Sequence, residues 1–90
     1  MLESKIKIKI MDYLKTIKDG YFFRVQQGKY SVSGISDIIG IWQGRLCAIE
    51  VKVKGNTMTK LQAQFQEKIK NMGGVAICAY DVEDVKKWIK

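Results

Sequence analysis

Ninety residues, 47% hydrophobic and 28% charged, have the balance of one small folded domain that buries about 60–65% of its unfolded surface, not of a disordered tail. There is no histidine, which excludes a Ser–His triad, a His general base and a His–Cys zinc site; no apolar run approaches the roughly 20 residues of a membrane-spanning helix. Sixteen Lys and Arg against nine Asp and Glu give a net charge of +7, pointing to a polyanionic partner, nucleic acid before a membrane surface. Residues 1–5 lack an apolar signal core, and Cys47 and Cys78 lie in apolar runs without metal-ligand spacing, so a reducing cytoplasm is the expected setting.

No repeat, low-complexity stretch or linker divides residues 1–90, so one domain is expected. Ile6, Ile8 and Ile10 alternate with lysines as a strand does, but Leu2, Ile6, Ile10, Tyr13, Leu14 and Ile17 follow a 3.6-residue period. Length decides for a helix over about 3–18, stopped near Asp19-Gly20. On it Ile8 faces away from the apolar stripe, and Glu3 sits at the stripe's inner edge. Residues 21–26 read as a strand and 27–36, rich in Gly and Ser, as a loop. Residues 37–42 and 45–53 read as two strands joined at Gln43-Gly44, followed by a Lys54-Gly55-Asn56 loop. A helix over about 59–72 is expected to turn Leu61, Phe65, Lys68, Ile69 and Met72 to one face, with Gly73-Gly74 as its stop. Residues 75–80 form a short buried strand, and Asp81 or Asp84 opens a last helix through Val85, Trp88 and Ile89. The order αβββαβα makes this an α/β fold. Tyr21, Phe22, Phe23, Trp42 and Trp88 are expected in the core or an interface rather than as base-stacking platforms.

The hairpin brings two acids together. A two-residue loop at Gln43-Gly44 opposes Trp42 to Arg45 and, continued inward, Asp37 to Glu50 on one face, with Cβ atoms roughly 4.5–5.5 Å apart. Like charges so placed destabilise each other, whereas a divalent cation turns the same pair into oxygen ligands. Lys52, two residues beyond Glu50, falls on the same face. The competing reading is a strand start at Asp37 and an exposed Glu50–Lys52 ion pair; a three-residue loop would shift the register by one. Ile49, Val51 and Val53 form an apolar opposite face and count against it, because they make this a central strand. Gln62 lies at the edge of its helix's apolar face, with Gln64 and Gln66 nearby and nothing local to separate them. Arg24 and Lys29 flank the loop leading to Asp37, where a phosphate backbone can lie.

Gly34-Ile35-Ser36-Asp37, Ala48-Ile49-Glu50-Val51-Lys52 and Thr59-Lys60-Leu61-Gln62 together resemble the PD-(D/E)XK nuclease superfamily. Within it they look like the stand-alone VRR-NUC (virus-type replication–repair nuclease) domains of phage proteins, over essentially the whole chain. One departure is Ser36, where the family usually has proline, a residue that shapes the loop and does not ligate metal. The resemblance implies an αβββαβ(α) restriction-endonuclease-like core with a mixed central sheet flanked by helices, and Mg²⁺- or Mn²⁺-dependent hydrolysis of DNA phosphodiester bonds. It implies that Asp37, Glu50 and the Val51 carbonyl hold the metal, with Glu3 joining directly or through water. Lys52 would orient the attacking water and stabilise developing charge, and Gln62 would position water or phosphate. DNA contacts are expected from Arg24, Lys29, Lys54 and Lys60. Stand-alone members are similar to Holliday-junction resolvases, which implies a homodimer acting on branched or four-way-junction DNA, in the host cytoplasm if the gene is a phage's; Ile8 is a candidate part of the dimer surface. Two other classes stand beside this one. A non-catalytic basic nucleic-acid-binding module needs no metal and gives no reason for Asp37 to oppose Glu50. A protein-interaction subunit on a nuclease-like scaffold does not need Asp37, Glu50 and Lys52 intact.

Overall fold

A tight hairpin sets the frame. Gln43 and Gly44 both have positive φ, 53° and 76°, the left-handed pair a type I′ turn requires and the one whose twist matches that of its strands. It joins β2 (Ile38–Trp42) to β3 (Arg45–Val51) in the expected register, from Trp42 opposite Arg45 to Ile38 opposite Ile49. β1 (Gly20–Arg24) pairs antiparallel with β2, and β4 (Val75–Ala79) pairs parallel with β3. The sheet is therefore mixed, in the order β1-β2-β3-β4, with β3 central as its apolar face requires. This computed structural model describes residues 1–26, 28 and 32–90; the expected DNA contact at Lys29 lies outside them. No helix among the described residues is long and apolar enough to cross a membrane.

Helices α1 (Glu3–Leu14) and α3 (Val82–Lys86) cover one face of the sheet. Ile6, Ile10 and Leu14 pack with Ile38, Cys47, Ile49, Val51 and Ile77, closed by Val85 and Ile89. Each fully buried Ile or Leu contributes roughly 1.5–3 kcal/mol relative to exposure, which makes this cluster the main force holding the layers together. Helix α1 stops four residues short of the expected boundary. Thr16 turns its hydroxyl back onto the Tyr13 carbonyl at 2.6 Å, while the Thr16 and Ile17 amides make tight i→i+3 bonds. The competing side-chain bond ends the helix before the glycine does. The strands are likewise shorter than expected, and single bonds carry the pairing on: Val25 N–H to the Asp37 carbonyl, 2.8 Å, and Lys52 N–H to the Ala79 carbonyl, 3.0 Å.

Helix α2 (Lys60–Asn71) lies on the other face, over β3 and β4. Its inward stripe differs from the one its apolar residues suggest. Leu61, Lys68 and Met72 are exposed, and the stripe runs through Gln62, Phe65, Gln66 and Ile69, a 3.6-residue spacing with two glutamines in it. Gln66 is fully buried because its amide has partners, donating to the Ile77 carbonyl at 2.7 Å and to Ser36 Oγ at 3.4 Å. Of the aromatics, Phe22 and Trp42 pack on the core, whereas Tyr21, Phe23 and Trp88 are exposed.

Candidate active site

The residues just before Asp37, Gly34 and Ser36, are held against α2. Gly34 sits with φ 74° against the first turn of that helix, so closely that a Cβ would overlap the Leu61 carbonyl and lie 2.8 Å from the Gln62 nitrogen. Ser36, in the place where the resembled family has proline, is fully buried and takes its hydrogen bond from Gln66. Glycine for close approach and serine for a buried bond thus fix the backbone that presents Asp37.

Asp37 and Glu50 are both buried, at 8% and 2% exposure, on adjacent strand ends. Asp37 Oδ2 accepts the Val51 N–H at 2.8 Å, a bond that ties the loop to β3. Glu50 Oε2 accepts from the Gln62 amide at 3.2 Å and faces Lys52 Nζ at 3.9 Å. Glu50 Oε1 is buried with no partner among the described residues, which in an ionised carboxylate is an acceptor left without water or donor. Burial drives the Glu50 pKa up to about 8; the Asp37 charge, a hydrogen bond the neutral form shares with Asp37, and the Glu3 charge push the same way, against Lys52.

This displacement sets a pH dependence. Folded Glu50 keeps its proton to about pH 8, while an unfolded glutamate loses it near 4.3. The stabilisation is complete below the unfolded value and is lost as pH rises through the folded one. In chelator, the thermal stability of the protein should therefore fall between pH 5.5 and 8.5, by an amount of order a few kcal/mol in this term. Glu50→Gln should flatten the fall. Cys47 and Cys78, whose thiols are pushed up by burial, stay neutral in that window. Parallel melting curves for the two proteins check this, and an equal slope in both would show that another group is responsible.

Gln62 owes its orientation to a capping box. Its side-chain oxygen accepts the Thr59 N–H at 2.9 Å and Thr59 Oγ1 accepts the Gln62 N–H at 3.2 Å, so the Gln62 amide nitrogen is left to face Glu50. Thr59-x-x-Gln62 is a recognisable start signal, and it separates Gln62 from Gln64, which is exposed, and Gln66, which is buried elsewhere.

Glu3 does not close with the two acids. Lys7, one turn along α1, stands between them, 3.6 Å from Glu3 Oε1 and 3.2 Å from Asp37 Oδ1. Among the described residues no three acidic or thiol groups meet at one point. Lys7 is absent from the residues singled out by sequence; its i,i+4 relation to Glu3 is the signal that could have found it. Val51 is present through its N–H on Asp37. Arg24, Lys54 and Lys60 are exposed at the end of β1, in the turn after β3 and at the start of α2. The chemistry of the pair suits a divalent cation: two buried carboxylates at one strand end, one with an orphaned oxygen, and Lys7 already filling a cation's place on the other.

No family model matches the sequence, and no curated protein matches it either. Solved structures do. A structure described as a VRR_NUC domain superposes with a TM-score of 0.75 at 17% identity, covering 94% of this chain and 90% of its own. Another, described as a VRR_NUC domain protein, gives a TM-score of 0.77 at 21% identity, covering 97% of this chain and 84% of its own. Likeness of that extent over nearly the full length of both partners fixes the architecture, and the chain has the α/β fold of the VRR_NUC domain.

Proposed function

We propose that this protein is a metal-dependent endonuclease that hydrolyses phosphodiester bonds in branched DNA, with Asp37 and Glu50 as the ligands of Mg²⁺ or Mn²⁺. One observation carries the reading: two carboxylates buried side by side, one of which, when ionised, has an oxygen with no partner among the described residues, in a chain of net charge +7. Such a pair costs stability unless something else uses it. A binding module does not account for it, since buried acids repel phosphate. The names of the structural neighbours support the same reading.

The bound cation would lower the pKa of the attacking water and neutralise charge on the phosphate. The protein's own residues do the rest. Asp37, held through Oδ2 by the Val51 N–H, would turn Oδ1 to the cation in place of Lys7, which now faces that oxygen at 3.2 Å. Lys52, half-buried beside Glu50, puts a fixed positive charge where the pentacovalent phosphate builds up negative charge. Gln62 holds Glu50 from the side of α2 and keeps its carboxylate plane. Arg24, Lys54 and Lys60, with Lys29, supply contacts to the phosphate backbone.

The dimer belongs to the same proposal, because paired cuts in a four-way junction need two sites. Tyr21, Phe23, Ile41 and Leu46 lie exposed together on one sheet face, which α2 leaves uncovered over β1 and β2. They form a stronger apolar patch than the single exposed Ile8 on α1, and we place the interface there. Labelled four-way junction, flap and linear duplex, each incubated with Mg²⁺, Mn²⁺ or chelator, test the function. Metal-dependent paired cuts in the junction, by a protein that light scattering shows to be a dimer made monomeric by Ile41→Glu, are the expected outcome. Binding with no cleavage under any metal supports the module instead.

A further inference from the structure

The outer edge of β4 opens into a groove of about 710 Å³ that the acid pair does not use. Its floor is β4 itself, short side chains and backbone from residues 75–78. Lys70 of α2 stands on one wall, Lys87 and Trp88 at the end of α3 stand on the other, and Arg45 closes one end. Three cations thus face one acid, Asp84. That acid is already engaged, with Oδ2 accepting the Tyr80 N–H at 2.9 Å and Oδ1 facing Lys87 Nζ at 3.5 Å. No described acid pairs with Arg45 or Lys70. Trp88 is 62% exposed, a large apolar plane left in water among positive charges.

Cations spaced along a groove with an aromatic plane among them suit a chain of phosphates whose bases are free to stack. Duplex DNA has no free base faces to offer an indole. A peptide added to the edge of β4 would be held by main-chain bonds and would need no array of cations. The groove is also well placed. Cys78 in its floor is directly opposite Glu50 in the β3–β4 register, so the groove begins one strand, about 4.8 Å, from the acid pair. From Cys78 back to Val75 the strand carries it about 10 Å further.

We propose that this groove binds an unpaired DNA strand, with a base stacked on Trp88 and phosphates at Arg45, Lys70 and Lys87. The proposal deepens the nuclease reading and rests on it for the choice of DNA. It is tested in chelator, where no cleavage occurs, by titrating a fluorescently labelled oligothymidylate into the protein and following both anisotropy and tryptophan emission. Trp88 emission should be quenched on binding. Trp88→Ala should lose the quench and bind about tenfold or more weakly, and Lys70→Gln should bind several-fold more weakly, both with unchanged melting curves. Affinity unaltered in both variants, or quenching by an acidic peptide and not by the oligonucleotide, overturns the proposal. A protein that binds in this way yet never cuts DNA keeps the groove and loses the nuclease. One that cuts DNA but binds the oligonucleotide equally well after Trp88→Ala loses only the groove.

Discussion

Asp37→Asn is expected to abolish DNA cleavage while leaving the protein folded. The amide keeps an acceptor for the Val51 N–H that Asp37 now holds at 2.8 Å, so the loop stays tied to β3. What disappears is the negative charge beside Glu50. Glu50 then ionises more readily, because one of the causes that push its pKa up has gone. At pH 8 the variant should melt at or slightly above the wild-type temperature, since Lys7 loses one of its two acidic partners and keeps Glu3. Cleavage should nonetheless fall by about a thousandfold or more, since a cation held by one carboxylate forfeits several kcal/mol of charge stabilisation. A gel assay of junction cleavage beside a melting curve measures both. Near-normal cutting by a folded Asp37→Asn protein would remove Asp37 from the chemistry.

Lys52→Ala separates rate from binding. Its ammonium lies 3.9 Å from Glu50, inside the site, and is one of sixteen positive side chains. Removing it should lower the single-turnover cleavage rate by about 10²–10³, the magnitude of losing one fixed charge aimed at a transition state, and change junction affinity little. Arg24→Ala should do the converse, leaving the rate at saturation near normal and reducing the salt dependence of binding by about one unit or less. Equal losses of rate and affinity in Lys52→Ala would assign it to DNA binding.

The part of the fold that reads directly from sequence is the part set by local chemistry. Gln43-Gly44 fixes the turn, the turn fixes the register, and the register places Asp37 beside Glu50. Apolar periodicity finds α1 because its inner stripe is made of Ile6, Ile10 and Leu14. It misleads at α2, where the inner stripe contains Gln62 and Gln66. The surface beneath them is not simply apolar: it offers Glu50, Ser36 and the Ile77 carbonyl as hydrogen-bond partners, and hydropathy cannot register a polar residue whose partners come from other elements. Lys7 escapes for a related reason, since its partner Asp37 is thirty residues away along the chain and adjacent only after folding. Trp88, expected in the core or an interface, is exposed, and its neighbour Ile89 takes the buried place beside Val85.

Calorimetric titration of Mn²⁺ into the DNA-free protein is the most direct test of the proposed divalent-cation site at Asp37 and Glu50. At pH 7 Glu50 still carries its proton, given a pKa raised to about 8. Metal binding must displace that proton. The observed heat should therefore change with the ionisation enthalpy of the buffer, reporting close to one proton released per ion bound, and the release should vanish in Glu50→Gln. Asp37→Asn should bind Mn²⁺ at least tenfold more weakly. No saturable binding by the wild-type protein, or binding that is equally tight in Asp37→Asn and releases no proton, would contradict the account.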